Sequence, residues 1–413
     1  MRKTLAILAS SIRLTFQELK NNKTRTALSL MGIAFGIFCI IGVLATVNSL
    51  EQNIQNQLKS LGSNSIYIDK WDYQGGGDIP FWKFRARPSM KYEEAAMIRE
   101  RAELLDGVSF LMQDNLSVSY KDAVVESTPV YGVTEEQIKI QPIKFETGRY
   151  FSAAEFNSGS NSCIIGNTLA ENLFGFPEAA IGKQIDIKGQ KVYVIGVINK
   201  EGKSFIGMDH DDCVMLTYNF SKRIISVDQS NPIIIAKGKE GVPSLALVSE
   251  LEGIMRQIRK LSPKEEDNFS LNSVEAISKS LSQSFVMINV VGAIIGGISL
   301  IVGMFGIANI MFVTVKERTS IIGLKKAIGA KKRSILFEFL MEAAILCIIG
   351  GAFGLILVYI LTLILSGPLN FPVFISLPLM AFTVLLCIII GILSGIIPAA
   401  KAANLDPVVA IRS

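Results

Sequence analysis

Three long blocks of this chain contain no charged residue, and they constrain its fold more than any other feature. No Asp, Glu, Lys, Arg or His occurs in Thr26–Leu50, Leu281–Val315 or Ala343–Ala400, which are 25, 35 and 58 residues long. A helix needs about 20 apolar residues to cross a hydrocarbon core of about 30 Å. The first two blocks therefore hold one span each and the third holds two, with a break at 366–372, where two prolines interrupt the apolar run. We predict four transmembrane helices: TM1 at 26–50, TM2 with its stalk at 281–315, TM3 at 335–366 and TM4 at 373–400.

Basic residues are concentrated in the short segments between and beside these spans. Residues 1–25, 316–342 and 401–413 hold 15 Lys and Arg against 5 Asp and Glu, whereas 51–280 holds 26 against 31. Lys and Arg in short flanking segments mark the cytoplasmic side of a membrane. We therefore expect both termini and the loop after TM2 to be cytoplasmic, and the segment 51–280 to be extracytoplasmic.

The first 25 residues have the pattern of an amphipathic helix. Their apolar residues recur at spacings of three and four, which places them on one stripe: Leu5, Leu8, Ile12, Phe16 and Leu19. Such a cytoplasmic helix lies on the inner leaflet of the membrane, or it packs on a soluble partner; the stripe is consistent with both. A secretory signal is not favoured, because the apolar stretch is short and ends at Arg13.

The segment 51–280 alternates irregularly between helix and strand patterns, which is typical of an α+β domain. Its length allows two subdomains, and strand patterns are densest at 130–217, so we place an inner subdomain there with 51–129 and 218–280 around it. The predicted elements are strands at 65–68, 108–133 and 269–272, helices at 90–105 and 245–261, and a hairpin at 184–197 that turns at Lys188-Gly189.

An aromatic and glycine-rich stretch, 71–84, is predicted to be a loop because it contains three consecutive glycines. Large aromatic side chains are common anchors at protein interfaces. The stretch is therefore a candidate contact for another protein outside the membrane, through Trp71, Tyr73, Phe81 and Trp82; a loop folded back on its own domain explains the residues equally well.

Residues that would support catalysis or metal binding are scarce. The single histidine, His210, lies among three aspartates, a pattern that is more typical of a solvated acidic turn than of a metal site. The five cysteines have no metal-binding spacing. Cys163 and Cys213 lie in the extracytoplasmic segment, where we expect buried free thiols but leave a disulfide open.

A nucleotide site is also not predicted in this chain. Gly196 and Gly202-Lys203-Ser204 resemble a phosphate-binding loop but are separated by five residues where the motif requires four. We therefore expect no catalytic residue, no bound cofactor and no metal, so the chain is not an enzyme by itself. Nothing in the pattern points to nucleic acid.

The predicted spans contain pairs of glycines instead of ionisable groups. Each span carries one pair at a spacing of four, namely Gly32/Gly36, Gly292/Gly296, Gly350/Gly354 and Gly391/Gly395. This spacing allows helices to approach closely. Ion-coupled transport needs ionisable or unwound sites within the membrane, so the pattern indicates tight packing that transmits motion.

The loop after TM2 is the most informative segment. Seven Lys and Arg lie between Lys316 and Arg333, and Ile321, Ile322, Leu324, Lys325 and Ile328 include an apolar stripe. Gly329 can end a short helix because glycine adopts left-handed backbone conformations. The segment is either a topogenic charge cluster beside anionic lipid or a docking helix for a cytoplasmic protein; the stripe and the defined end favour docking.

Several segments together resemble the MacB/FtsX-like family of ABC-transporter permeases. The loop ERTSIIGLKKAIGA is similar to the family signature ERTxEIGLxKAxGA, and GIIPAAKAANLDPVVAIR is similar to its C-terminal tail. Phe16–Gly32, Gly148–Phe151 and Cys163–Gly182 also resemble family segments. The chain departs from the pattern at Ser320, Ile321 and Ile397.

The resemblance implies a function and a set of partners. Such permeases lie in the bacterial inner membrane with both termini inside, form a dimer with a second copy or a homologue, and bind two cytoplasmic ABC ATPase subunits that hold ATP and Mg. The loop positions expected to couple to the ATPase are Lys316, Glu317, Arg318, Gly323, Leu324, Lys325, Lys326, Gly329 and Ala330.

The resemblance also implies what the outer domain does. The family's outer domain is a porter part with an inserted sabre part, which would correspond to 51–129 and 218–280 around 130–217. The MacB-type fusion to an ATPase domain is not seen in this sequence, so a separate ATPase subunit is expected. Mechanotransmission across the membrane would drive export or extraction (efflux) of an amphiphile, peptide or lipoprotein, with a periplasmic fusion protein and an outer-membrane channel as further partners.

Two alternatives remain open from the sequence. The complex could transmit motion to an outer cell-wall hydrolase or sensor kinase instead of transporting, with the aromatic stretch 71–84 as the contact. A membrane-tethered outer enzyme is the weaker alternative, since the residue clusters that catalysis requires are missing from the sequence.

Overall fold

The chain folds into two compact units, which we take one at a time. A computed structural model describes residues 23–62, 64–73, 80–200, 202, 208–227, 230–369 and 373–412. The membrane unit comprises the chain up to Glu51 and from Ser284 onward, and the sheet unit comprises Gln52–Gln283. The predicted amphipathic stripe between Leu5 and Leu19 and the glycines at 75–77 lie outside the described residues.

The described regular structure of the membrane unit consists of helices. In the sheet unit, helices pack on the sheet. In chain order they are α1 Lys23–Ser60, α2 Phe81–Ala86, α3 Tyr92–Arg101, α4 Gln137–Ile140, α5 Ala153–Ser158, α6 Asn167–Phe174, α7 Tyr218–Ser221, α8 Ser244–Ile258, α9 Val274–Glu317, α10 Thr319–Ala327, α11 Lys332–Leu369, α12 Leu377–Asn404 and α13 Pro407–Arg412, with a short 3-10 turn at Pro177–Ala180.

The strands of the sheet unit form one ten-stranded sheet. They are β1 Ser65–Asp69, β2 Leu105–Tyr120, β3 Ala123–Val133, β4 Phe145–Gly148, β5 Ser162–Ile165, β6 Gln184–Ile187, β7 Gln190–Ile198, β8 Val214–Thr217, β9 Ile233–Gly238 and β10 Ser270–Ser273. The order is β10-β1-β9-β2-β3-β8-β5-β7-β4, with β6 pairing β2 and β7.

One end of this sheet has a ferredoxin-like arrangement. The strands β10, β1, β9 and β2 are neighbours in that order and pair antiparallel, and α3 and α8 connect β1 to β2 and β9 to β10, as in a split βαβ motif. Alternate residues of a strand face opposite sides of a sheet. Ile234 of β9 therefore packs in the core that contains Leu251 of α8, while Ile235 packs in a separate core on the other face.

The strands β3 to β8 lie between β2 and β9 in the sequence, and they extend the sheet on the far side of β2. The predicted hairpin at 184–197 is present as β6 and β7, and its turn residues Lys188 and Gly189 have φ values of 52° and 78°. Positive φ at both positions is the requirement of the two-residue turn that matches strand twist. The predicted boundary at 129/130 falls within β3, because β2 and β3 form one continuous hairpin; the division into porter-like and sabre-like parts stays a prediction.

The membrane unit confirms the four predicted spans. Within the described residues, four helices are long and apolar enough to cross a membrane: Leu30–Leu58, Val274–Glu317, Lys332–Ser366 and Leu377–Asn404. The predicted glycine pairs lie at helix contacts, since a Cβ at Gly32 would meet Gly303 of α9 and one at Gly391 would meet Ala344 of α11. Because glycine has no side chain, the helices can approach each other closely at these positions.

The structure corrects the prediction for one stretch and agrees with the predicted end of the third span. The stretch 71–84, predicted as a loop, contains the start of a short helix, Phe81–Ala86, because only the glycines at 75–77 disfavour helix and they precede it. The third span ends at Ser366 as predicted, and its helix α11 continues to Leu369. Ser366 Oγ donates to Thr362 O at 2.7 Å and accepts from Val373 N at 3.2 Å.

Candidate functional site

The short basic helix predicted after TM2 is present as α10, between the ends of α9 and α11. Gly329 has φ of +99°, which only glycine adopts without strain. Gly329 N donates to Lys326 O at 3.0 Å and Ala330 N donates to Lys325 O at 3.0 Å. These two bonds form a Schellman motif, so the predicted role of Gly329 as the end of the helix is confirmed.

The helix presents an apolar stripe to solvent. Ile321, Leu324 and Ile328 are 55%, 56% and 80% exposed, and their spacing of three and four places them on one face of a helix. On the opposite side, Ile322 and Gly323 are buried, and Ile322 packs in the core with Ile335 and Phe339 of α11. An exposed apolar stripe on a helix that is already packed on its other side is typical of a protein interface.

Two of the predicted coupling cations are paired with carboxylates of α11. Arg318 Nη1 lies 3.3 Å from Glu342 Oε2, and the Glu342 side chain is 1% exposed. Lys325 Nζ lies 2.7 Å from Glu338 Oε1, where the lysine is 44% exposed. The Arg318 pair is internal and costly to break, because removal of one partner leaves a buried charge; the Lys325 pair is at the surface and contributes little.

Lys326 has a different role from its neighbour Lys325. Its ammonium donates to Ala403 O at 2.7 Å and to Leu405 O at 2.5 Å, which are the last carbonyls at the end of α12. A cation at a helix C-terminus satisfies unpaired carbonyls and interacts favourably with the helix dipole. The pKa of Lys326 is lowered from its ordinary value, first by loss of solvation and then by the charge of Lys332.

The C-terminal tail packs on the same helix. It was predicted only as a cytoplasmic tail, but it contains α13, which contacts α10. Pro407 is the first residue of α13, the position in a helix where a missing N–H costs nothing. Lys332 Nζ adds a bond to Asn404 Oδ1 at 3.2 Å. The helix α10 is therefore fixed to the end of the fourth span.

The predicted coupling residues thus divide by their surroundings. Lys316, Glu317 and Leu324 are exposed, whereas Arg318, Gly323 and Lys326 face the protein interior. The predicted coupling residues do not include Ile321 and Ile328, which form most of the exposed stripe. Their spacing with Leu324 was the signal that identifies them.

The four aromatic residues predicted to contact another protein differ in their packing and exposure. Trp71 packs against Phe81 and against the buried Phe84, with ring centroids at 5.1 and 6.2 Å. Tyr73 donates from its hydroxyl to Asp69 Oδ2 at 2.8 Å, and its pKa is raised by burial and by that carboxylate. Phe81 and Trp82 are the most exposed of the four, at 67% and 72%, while Tyr73 is 42% exposed.

Side chains that could hold a metal ion do not converge in the described part of the chain. No group of three or more His, Cys, Asp and Glu residues is placed to bind a metal ion there. Cys163 and Cys213 are buried and carry free thiols, and burial raises the pKa of the Cys163 thiol.

Comparisons with known proteins agree with these features. A family model described as the MacB-like periplasmic core domain matches residues 26–254, and one described as the FtsX-like permease C-terminal matches residues 293–407. The chain belongs to the MacB/FtsX-like family of ABC-transporter permeases. It is a membrane protein with an extracytoplasmic domain.

Individual relatives cover the chain almost completely. A macrolide export ATP-binding/permease protein MacB from Bdellovibrio bacteriovorus is 31% identical over 96% of this chain and 60% of its own length. The chain therefore spans about 60% of the length of that curated relative. The ABC transporter permease YknZ of Bacillus subtilis is 28% identical over 98% of this chain and 99% of its own length.

A solved structure is also similar to part of this chain. The periplasmic region of MacB from Actinobacillus actinomycetemcomitans aligns with a TM-score of 0.46 and 16% identity. The alignment covers 56% of this chain and 98% of that chain.

Proposed function

We propose that this chain is the permease subunit of an ABC transporter complex and that a separate cytoplasmic ATPase docks on the apolar stripe of α10. The exposure of Ile321, Leu324 and Ile328 is the observation that supports this most directly. YknZ, which is named as a permease, matches over 99% of its length, which supports a permease function for this chain.

The proposed mechanism follows from how α10 is held. Two ATPase subunits bind ATP and Mg and close against each other beneath a dimer of permeases. Because Lys326 and Arg318 tie α10 to α12 and α11, a displacement of α10 is passed to the spans as a whole. The spans transmit it to the extracytoplasmic domain, where it drives export or extraction of an amphiphile, peptide or lipoprotein.

The test is the affinity of the detergent-solubilised chain for its ATPase subunit. Leu324→Asp and Ile328→Asp each place a charge in an apolar contact, and burial of an apolar side chain is worth about 1.5–3 kcal/mol, so each should weaken binding about tenfold or more. Ser334→Asp adds the same charge at an exposed position outside the stripe and should bind normally. Gly323→Pro should abolish binding, because proline breaks a helix interior.

Two outcomes would contradict the proposal. If the three aspartate variants bind the ATPase equally well, the stripe is not the docking surface. If Gly323→Pro leaves both binding and ATPase stimulation unchanged, the helix does not couple the two subunits.

A second candidate is regulation of an outer enzyme or sensor by the same ATP-driven motion. The exposed pair Phe81 and Trp82 favours it, because two large aromatic side chains on one short helix form a suitable protein contact. Photocrosslinking from position 82 discriminates between the two: a cell-wall hydrolase or kinase supports regulation, whereas a fusion protein or lipidated cargo supports transport.

A further inference from the structure

The ferredoxin-like end of the sheet has one face that no complete helix layer covers. The helices α3 and α8 pack on the face that contains Ile66, Phe110 and Ile234. On the opposite face, Tyr67 and Ile235 pack with residues at the ends of two long helices and with one short helix: Leu58 in the last turn of α1, Leu61 just after it, Val274 at the start of α9, and Ile140 of α4. This incomplete cover leaves a cavity.

The cavity, which we call the sheet pocket, has a volume of about 250 Å³. This is larger than the cavity of about 150 Å³ that holds a benzene molecule. Its walls are mostly apolar and come from three strands and two helix ends, including Leu61, Leu111, Met208, Ile233, Ile235 and Ile277. No charged side chain is among the described residues that line it.

One part of the sheet pocket is polar and internally hydrogen-bonded. Gln137 Nε2 donates to Gln141 Oε1 at 2.5 Å, and Gln141 Nε2 donates to the Tyr67 hydroxyl at 2.6 Å. That hydroxyl donates to Leu61 O at 3.0 Å. These bonds fix the polar groups in place, as a binding site requires of its orienting residues.

One polar side chain of the lining has spare hydrogen-bonding capacity. Gln113 lines the pocket, and its carboxamide has no partner among the residues that the structure describes. Gln137 bonds to Gln141 from outside the lining. A polar group that loses water without gaining a partner costs free energy, and a ligand group that bonds to Gln113 avoids that cost.

We propose that the sheet pocket binds an uncharged amphiphile, a molecule with a hydroxyl or amide head and a short apolar chain. The head would bond to Gln113 beside the Gln141–Tyr67 pair, and the chain would contact Ile233 and Ile277. A charged head is disfavoured, because the described residues of the lining carry no opposite charge and burial of an unpaired ion is strongly unfavourable. The inference does not depend on the ATPase, and its readout is binding alone.

The pocket includes the first turns of a helix that leads to the proposed docking site. Val274 and Ile277 belong to α9, which ends at Glu317 immediately before α10. A ligand in the sheet pocket therefore contacts the same continuous helix that precedes the coupling segment.

The test uses the full chain in lipid nanodiscs and azioctanol, an eight-carbon alcohol that carries a photoreactive diazirine. Adducts mapped by mass spectrometry should fall on the peptides that contain Met208 and Ile277, and octanol should compete while octanoate and octylammonium do not. Ile233→Trp fills the pocket from a partly exposed strand position and should abolish these adducts. The control Val124→Trp adds the same bulk at a strand residue that is 58% exposed and should label normally.

A second variant keeps the inference testable if Ile233→Trp does not fold. Gln113→Leu keeps the shape of the side chain but removes its hydrogen bonds, so octanol should compete roughly 2- to 12-fold less well. Three results would overturn the proposal: adducts confined to the spans, equal competition by octanoate, or adducts and competition that neither variant changes.

Discussion

Two adjacent lysines show how little residue type alone says about a role. Lys325 and Lys326 both lie in the basic loop and both fit a docking surface by sequence. In the structure Lys325 reaches Glu338 at the surface, whereas Lys326 reaches two carbonyls at the end of α12. The first is available to a partner, and the second holds the helix that the partner would contact.

The cap formed by Lys326 has a measurable consequence. Lys326→Met should loosen the end of α12 and α13 by about 1–2 kcal/mol, because it removes charge-assisted bonds to helix carbonyls. Amide hydrogen exchange in peptides from 399–412 should then be roughly 5- to 30-fold faster. Lys325→Met is the matched control and should change exchange less than about fivefold, because exposed ion pairs are worth about 0.2–1 kcal/mol. Equal effects of the two variants would contradict the assignment.

A surface ion pair of the sheet unit predicts a pH dependence. Arg149 Nη1 donates to Glu155 Oε2 at 2.7 Å, and this bond lowers the pKa of Glu155 from 4.5 to about 2, with help from Ser152. A carboxylate with a depressed folded-state pKa contributes stability that is complete above the unfolded value and lost as the pH falls through the folded one.

We therefore expect the Glu155→Gln variant to differ most from the natural chain near neutral pH. The difference in thermal midpoint should shrink as the pH falls from about 4.5 and vanish near about 2. Glu178→Gln, a change at an exposed glutamate of the same unit, is the control and should show no such trend. A difference that stays constant over this range would exclude the ion pair as its cause.

At the scale of elements, glycine positions decide how closely the spans pack. Gly296 and Gly297 are adjacent glycines of the same helix, α9. A Cβ at Gly296 would overlap the side chain of Ile40 in α1, whereas a Cβ at Gly297 would meet open space. The contact between α9 and α1 therefore requires a glycine at position 296 but not at position 297.

The pair therefore gives a prediction with an internal control. Gly296→Ala should destabilise the membrane unit by about 1–3 kcal/mol, because the added methyl group overpacks the contact with Ile40. Gly297→Ala should be neutral or stabilising by up to about 1 kcal/mol, since alanine favours helix over glycine. Thermal unfolding in one detergent compares the two, and a larger loss in Gly297→Ala would refute the assigned packing.

At the scale of the whole molecule, the proposal depends on which side of the membrane each unit occupies. The charge asymmetry predicts that α10 is cytoplasmic and that the sheet unit is outside. Ile328 and Trp82 are 80% and 72% exposed, so a cysteine at either position will react with a reagent that reaches its side.

A membrane-impermeant maleimide should label Trp82→Cys in intact spheroplasts and Ile328→Cys only after permeabilisation. Leu245→Cys, at another exposed position of the sheet unit, should behave like Trp82→Cys. The natural chain provides the background, since four of its cysteines are buried and Cys39 is partly so. Labelling of all three variants in intact spheroplasts would contradict the predicted orientation and the docking of a cytoplasmic ATPase.

Much of the architecture could be predicted because its physical cause is local. Spans follow from unbroken apolar runs, the hairpin at 184–197 follows from alternation around a glycine turn, and the end of α10 follows from Gly329. The helix α13 was missed because it is short and depends on packing against α10.

The sequence by itself determined the class of protein, the four spans, the α+β outer domain and the position of a basic helix after the second span. Each depends on spacing or charge within a single segment, which can be read along the chain. Only the tertiary structure decided which face of that helix is exposed, that Lys326 caps α12, and that the incompletely covered face of the sheet leaves a pocket. These depend on segments far apart in sequence, whose contacts are fixed only when the whole chain packs.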